Sequence, residues 1–532
     1  MANLLKKYKH SLPLRGWILI LITVLGVSVS LPLLRSGYFS HQDDLQVMRI
    51  FEMRKCFSDF QIPCRWVPDM GWGNGFPLFN FYGVSTYYLG AIISFFVGFL
   101  NASKILFFIS LTAGSYGVYA LVRDLWGKYA GLTSAVLYLF VPYKALDVYV
   151  RGALSESMAL ALIPFVLYFG YKKSYKLFVL TLFLFLITHN IMTIIFLPII
   201  LLWMIYWNDL RIVIITFVIT LGLSSFFILP AFFEKSLVQT ESLTRFELDF
   251  RANFISIKQL FFNRVWGYGT SIPGPEGRMN FQIGWPHWIL TALSLVIVLF
   301  RKKEKHMLLV TCCLLLFIFS IFMTHNKSSF IWENINILEY FQFPWRFLSL
   351  SVLTSSILGG FVVLVVKEKF QKYLCALIII TTVILNWNYF KPKEYYKITD
   401  KQKLSGELWE QQRKGALLDY LPKTALEPRE GANTTLTNFV SHSNKFSFEI
   451  NLDKETQIEV PVFYFPNWEA TVNGKVYPLT HDNILGRISI LLPEGNHKVV
   501  GKFKNTALRT FANTITLISV IGFILICRKK YI

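Results

Sequence analysis

The chain has 532 residues, of which 54% are hydrophobic, 17% aromatic and only 16% charged. That balance excludes an ordinary water-soluble enzyme and implies a polytopic membrane protein. The formal net charge of +21 would suit a nucleic-acid binder, but its placement argues otherwise. Basic residues sit in short runs between apolar segments: Lys6-Lys7-Lys9, Lys172-Lys173-Lys176, Arg301-Lys302-Lys303-Lys305, Lys367-Lys369-Lys372 and Arg528-Lys529-Lys530. This is the positive-inside pattern of cytoplasmic loops, so the charge sets topology, and no nucleic-acid partner is expected.

The first apolar segment, Trp17–Leu34, is followed by no A-x-A-like cleavage site and reads as an uncleaved span. The loop that leaves it, residues 35–81, carries an acidic pair, Asp43–Asp44, close to the membrane exit. Leu45, Met48, Phe51 and Met53 among charges predict a short helix lying on the bilayer surface. Pro63, Pro68, Pro77 and four glycines between Gly71 and Gly83 then break regular structure, with Trp66, Trp72, Phe76, Phe79 and Tyr82 interleaved. Aromatics and prolines of this density at a membrane face suit a pocket wall as well as an interfacial belt.

Further apolar stretches follow at 104–122, 130–143, 154–171, 176–188, 190–207, 211–233, 287–300, 307–324, 344–366, 373–390 and 510–527. Several are shorter than the ~20 residues that span a bilayer alone. If 82–100 also crossed, the later basic runs would fall outside. We therefore expect about 12 transmembrane helices, with 82–100 packed at the outer surface and both termini inside. An undetected extra span would repair the parity equally well.

That topology leaves four more segments outside. In Pro142–Glu156 an acid, an arginine and a second acid stand at the mouth of a span: Asp147, Arg151 and Glu156. Such groups beside hydrocarbon pair with one another or face a polar cavity. Both readings stay open here, a salt bridge that pins a loop and a functional cluster. Thr188-His189-Asn190 is a hairpin in which His189 is either a turn cap or a ligand. The loop 234–286 holds Arg245, Arg251, Arg264, Trp266 and the run GYGTSIPGPEGR. In Phe343-Pro344-Trp345-Arg346-Phe347, Arg346 enters the membrane beside Trp345, as a phosphate ligand or as an interfacial anchor.

After Phe390 the composition turns water-soluble, helical around Asp400–Leu421 and alternating from Asn433. KFSFEINL, TQIEVPVFYF, WEATVNGK, RISILL and HKVVGKFK, broken by Asn473-Gly474 and Pro493-Glu494-Gly495-Asn496, predict a small antiparallel β-sandwich tethered by the last span. The expected division is 1–390 transmembrane, 391–432 linker, 433–508 extracytoplasmic β-domain and 509–532 final helix with a basic tail. Cys312, Cys313, Cys375 and Cys527 read as small core residues. Cys56 and Cys64 share the outer loop and would pair in an oxidising compartment.

An acidic pair after the first span, its proline- and aromatic-rich sequel and a second acidic site two spans later resemble the GT-C superfamily of integral-membrane glycosyltransferases. More closely, HQDDLQVMRI, IPCRWVPDMGWGNGFPLFNFY, LDVYVRGALSESMAL, THN and FPWRF resemble the membrane proteins described as "6-pyruvoyl-tetrahydropterin synthase-related". VFYFPNWEATVNGK and LPEGNHKVVGKFK are similar to the β-region of large bacterial membrane proteins implicated in glycosylating lipoteichoic acid. The chain departs from the pattern at Cys64 and in having a span after the β-domain.

The resemblance implies a mostly α, GT-C-like polytopic enzyme with a small extracytoplasmic antiparallel β-domain, placed in the cytoplasmic (plasma) membrane with its active face outside. It implies transfer of a sugar from a polyprenyl-phosphate donor to a glycan, lipid or protein acceptor. Asp44, or alternatively Asp43, would be the general base, with Asp147, Glu156 and His189 completing the site. Arg151 and Arg346 would hold phosphate, and Trp66 and Asn190 would contact substrate. Asp44 and Asp147 would be the ligands of a divalent metal, Mg²⁺ or Mn²⁺, if one is used. The competing expectation is a non-catalytic transporter or a scaffold for cell-envelope glycan and lipid assembly. A transporter more often carries ionisable residues mid-span, whereas these lie at outer ends.

Overall fold

The computed structural model describes residues 12–529 except 246–247, 268, 270, 272–278, 301–305, 416–419, 429–435 and 437. The basic runs at 6–9 and 301–305, Lys530 and most of the Gly-rich run after Trp266 lie outside the described residues. The chain divides into two compact units. The first comprises Met1–Asp43, Lys104–Thr216 and Thr244–Lys397; the second comprises Asp44–Ser103, Phe217–Leu243 and Ile398–Ile532.

The protein is mostly helical. Among the described residues, eight helices are long and apolar enough to cross a membrane: Phe99–Trp126, Leu154–Tyr171, Asn190–Trp207, Leu210–Phe233, Met307–Thr324, Pro344–Leu364, Glu368–Tyr389 and Ala507–Arg528. Gly16–Val29, Ser85–Val97, Tyr175–Leu186 and Trp285–Phe300 are apolar but shorter. The stretch expected to span at 130–143 is the helix Lys128–Leu139, with Ala130–Leu139 all buried in protein. It stops because Pro142 forces Val141 into an extended conformation (ψ 130°). The 82–100 stretch forms the 13-residue helix Ser85–Val97, which rises only ~20 Å against a ~30 Å hydrocarbon core. Gly98, at φ 80°, breaks it from Phe99–Trp126. Asp400 accepts the first free N–H groups of that next helix, from Phe99 (2.7 Å) and Leu100 (2.9 Å).

In the first unit, Leu348–Leu364 is buried along nearly its whole length. Gly359 and Gly360 let it lie close to Lys128–Leu139: a Cβ on Gly360 would sit 2.8 Å from the Ala130 carbonyl oxygen. A two-stranded ribbon, β1 (Tyr38–Phe39) with β2 (Tyr395–Tyr396), holds the start of the outer loop antiparallel to the segment after Phe390.

In the second unit the helix Gln46–Ser58 is buried on most sides, including Arg49 and Glu52. It is therefore not simply a helix laid by one apolar face on a bilayer. Cys56 and Cys64 are joined by a disulfide. The alternating C-terminal runs form strands at β3 (Val440–Ser441), β4 (Lys445–Leu452), β5 (Thr456–Phe463), β6 (Trp468–Val472), β7 (Lys475–Tyr477), β8 (Arg487–Leu492) and β9 (Gly495–Phe503). They make a five-stranded sheet ordered β3-β4-β9-β6-β7 and a separate β5-β8 pair. Asn473 and Gly474, both at positive φ, make the two-residue β6–β7 turn.

The β-domain is not held by the last span alone. Trp66 is 1% exposed and packs on Trp468 and Phe503, each with ring centroids 5.3 Å away. Gln61 donates to the Ser443 carbonyl (2.7 Å) and Arg487 to Asn74 Oδ1 (2.7 Å). Beneath this contact lies a buried polar network. Glu234 accepts from Arg509 Nε, Asn80 Nδ2 and Thr506 Oγ1, each at 2.8 Å. Arg65 reaches Asn80 (2.7 Å), the Phe226 carbonyl and Asn513 (both 3.0 Å).

Removing one member of a buried ion pair strands the other, at a cost of about 3–5 kcal/mol. We expect Glu234→Leu to lower resistance to thermal unfolding in detergent by about that much. Adding Arg509→Met should recover part of the loss, a coupling that a double-mutant cycle reads directly.

Candidate active site

The sequence PYKALDVYVRG builds the site through its backbone. Pro142–Leu146 is a short helix that widens into a π turn over Asp147–Arg151 and ends at Gly152 in the left-handed region (φ 68°). Such widened turns are rare and cluster at functional sites. A side chain at Gly152 would strike the His41 ring as well as strain the backbone.

The turn sets Asp147 and Arg151 face to face, and Glu156 follows in the first turn of Leu154–Tyr171. Arg151 Nη1 bonds Asp147 Oδ1, and Nη2 bonds Glu156 Oε2 at 2.8 Å. Arg346 Nε stands 3.6 Å from the same Glu156 oxygen. The other oxygen of Glu156 accepts from Tyr143 O–H at 2.6 Å. Arg346 is also anchored through Nη1 to the Phe341 carbonyl (2.6 Å) and to Gln342 (3.1 Å). Trp345 lies under the Arg151 guanidinium, 4.3 Å from its ring centroid, and stacks on Phe343. Both acids and both arginines are buried or nearly so.

Burial and then the Glu156 carboxylate push Asp147 well above the ordinary carboxylate range, while Arg151 pulls it down.

His189 caps the helix Asn190–Trp207, its Nδ1 accepting from Met192 N–H at 3.2 Å. It also stands within electrostatic reach of Glu156, Arg346 and Arg151. Its imidazole is kept neutral, the pKa lowered to about 4 by burial and by the two arginines, with Glu156 opposing. Asn190 is the half-buried first residue of that helix.

Asp43 joins the cluster through the backbone. Its N–H donates to the Arg151 carbonyl and that of Gln42 to Val150, both at 2.9 Å. Asp44 belongs to the second unit, where its carboxylate pairs with the nearly buried Lys403 at 2.6 Å. Trp66 is likewise a core side chain of the second unit, which assigns it a packing role. The first unit therefore brings together Asp147, Arg151, Glu156, His189, Arg346 and the backbone of Asp43; Asp44 and Trp66 belong to the second unit.

Tyr143, Trp345 and Lys403 were not singled out from sequence as partners. Tyr143 and Trp345 stand inside the two motifs that held the charged residues, so the signal was present for them. Lys403, 359 residues from Asp44, left none.

The donors present do not fit a divalent metal. No group of three or more His, Cys, Asp or Glu able to hold one occurs among the described residues. Asp147 faces Arg151, and Asp44 faces Lys403.

No family profile and no curated protein matches the chain. Among solved structures it is similar to the single-particle cryo-EM structure of the arabinofuranosyltransferase AftD from Mycobacteria. The identity is 13% and the TM-score 0.45, over 72% of this chain and 28% of that one. It is also similar to the crystal structure of the Archaeoglobus fulgidus oligosaccharyltransferase complex with Zn and sulfate. There the identity is 14% and the TM-score 0.36, over 78% of this chain and 54% of that one. The chain thus spans about a quarter and about half of these proteins, and at such scores neither likeness carries the functional reading.

The His189 geometry has a pH consequence. A histidine ordinarily near 6.5 that is held at about 4 when folded binds fewer protons folded than unfolded between those values. Its contribution therefore erodes stability as pH falls through that window. We expect His189→Gln to shrink the drop in melting temperature between pH 7 and pH 5, measured in detergent. An unchanged drop would show that His189 titrates alike in both states.

Proposed function

We propose that the chain is a multi-pass, GT-C-type membrane glycosyltransferase that moves a sugar from a polyprenyl-phosphate donor to an extracytoplasmic glycan, lipid or protein. The observation that carries this is the convergence of two guanidiniums on Glu156 where the backbone pins Asp43. A glycosyl transfer of this kind breaks the bond between the anomeric carbon and the lipid phosphate oxygen. It needs a base for the acceptor hydroxyl and positive charge for the leaving phosphate.

In this reading Arg346 and Arg151 take the leaving phosphate, each offering a planar fork of donors. Glu156 and Asp147 orient those forks, and Trp345 fixes the plane of Arg151. Asp43 accepts the acceptor proton. Asp43 is preferred here to Asp44, the sequence's first choice, because its backbone is bonded to Arg151 whereas the Asp44 carboxylate pairs with Lys403. Neutral His189 is placed to orient a hydroxyl. The twelve-span topology, with both termini inside, belongs to the same proposal. The shorter apolar helices would then cross with help from their packed neighbours.

A non-catalytic scaffold is favoured by one observation: Asp147 and Glu156 are both engaged by arginines, so the ion pairs alone would pin the loop. Transfer from labelled polyprenyl-phosphate sugars in proteoliposomes separates the two readings.

We expect Asp43→Asn to lower transfer by about 10²–10⁴-fold, the usual contribution of a general base, and Asp44→Asn to lower it far less. Equal transfer by wild type and the Asp43→Asn/Asp44→Asn double variant would remove this loop from the chemistry. Arg346→Ala should raise the apparent KM for the donor or lower kcat through lost leaving-group stabilisation.

Topology is tested separately. Single cysteines at positions 43 and 475 in a Cys-free background should react with an impermeant thiol reagent from outside, and one at 302 should not.

A further inference from the structure

A groove of about 150 Å³ opens in the first unit where the helix Leu12–Val29 ends. Ser28, Leu31, Pro32, Trp387 and Phe390 wall it, with Arg35 on its lining. The apolar wall runs on to the outside: Leu31 is 50%, Leu34 64% and Trp387 42% exposed. The volume equals about five water molecules at liquid density. That accommodates a phosphate with its first few carbons while the rest of a chain lies along the exposed apolar strip.

Among the described residues, the one charged residue on the groove's lining is Arg35. Arg35 is exposed and lies over the Tyr395 ring, 4.5 Å from the centroid. Among the described residues its guanidinium has no hydrogen bond and no carboxylate partner. Lys104 stands beside it, its Nζ donating to the Arg35 carbonyl (3.0 Å) and the Gly37 carbonyl (3.1 Å). Lys391 follows Phe390 directly, and the next acid along the chain, Glu394, pairs with Lys393 at 3.5 Å. The carbonyl end of Leu12–Val29 would oppose an anion, but Tyr149 O–H takes the Val29 carbonyl at 2.6 Å.

An arginine fork free to bind oxygens, a second cation beside it and a tryptophan at the end of an apolar helix together match one ligand chemistry. We propose that this groove binds the headgroup phosphate of an anionic phospholipid, with Arg35 as the direct contact and the chains on the Leu31–Trp387 strip. The proposal concerns a lipid of the surrounding bilayer and does not depend on sugar transfer, so either reading can fail without the other.

The test uses the purified full-length chain in detergent, titrated with phosphatidylglycerol, phosphatidylcholine or inorganic phosphate, with bound molecules counted by native mass spectrometry. The expected result is one phosphatidylglycerol held in preference to phosphatidylcholine. Arg35→Gln should weaken that one lipid about ten-fold, a typical effect of losing one charge-assisted contact. Arg35→Lys should retain part of the affinity, and Trp387→Ala should weaken binding without abolishing the headgroup preference. Both positions are exposed, so the fold should survive and unchanged melting will confirm it. Equal phosphatidylglycerol retention by wild type and Arg35→Gln would overturn the assignment. So would equal retention of the two lipids, or displacement of phosphatidylglycerol by millimolar inorganic phosphate, which would make this a free-phosphate site.

Discussion

The Arg151 guanidinium, lodged between Asp147 and Glu156 at the mouth of the helix Leu154–Tyr171, is the interaction on which the candidate site depends. Taking an arginine and two carboxylates out of water costs several kcal/mol per ion, and only close, oriented pairing recovers it. That requirement explains the surrounding geometry. The π turn brings Asp147 and Arg151 into register, Gly152 lets the chain turn past His41, and Tyr143 satisfies the remaining oxygen of Glu156. Trp345 covers the open face of the guanidinium. A buried ion cluster is poor evidence for stability, because an apolar core of the same volume would often be as stable.

The second unit applies the same chemistry to a different end. Glu234 gathers Arg509, Asn80 and Thr506, and Arg65 extends the network to Asn513. The outer loop, the start of the last apolar helix and the β-domain are thereby held as one body. Trp66 against Trp468 and Phe503 supplies the apolar part of that contact. Density of aromatics in the loop reflects packing here as much as any surface for substrate.

Local signals in the sequence were read well. Period-2 alternation placed β4, β5, β6, β8 and β9, Asn473-Gly474 marked the hairpin that leads into β7, and runs of apolar residues marked each long helix. Charged residues at the ends of spans pointed to Asp147, Arg151, Glu156 and Arg346, because such groups are too costly to leave unpaired. Long-range partnership was not legible. Nothing near Asp44 announces Lys403, and nothing near Trp66 announces the β-domain, since both contacts join segments hundreds of residues apart. Composition does not give helix length where protein replaces lipid: the apolar stretch at 130–143 forms the 12-residue helix Lys128–Leu139, whose small residues are buried against Leu348–Leu364.

The account's central claim is that Arg151 and Arg346 receive a lipid-linked phosphate. The most direct measurement is a cryo-EM structure of the full chain in nanodiscs with a non-cleavable polyprenyl-phosphonate sugar. The account predicts phosphonate density within hydrogen-bonding distance of both guanidiniums, with the sugar facing Asp43. Phosphonate bound away from both arginines, with Arg151 still closed on Asp147 and Glu156, would contradict it.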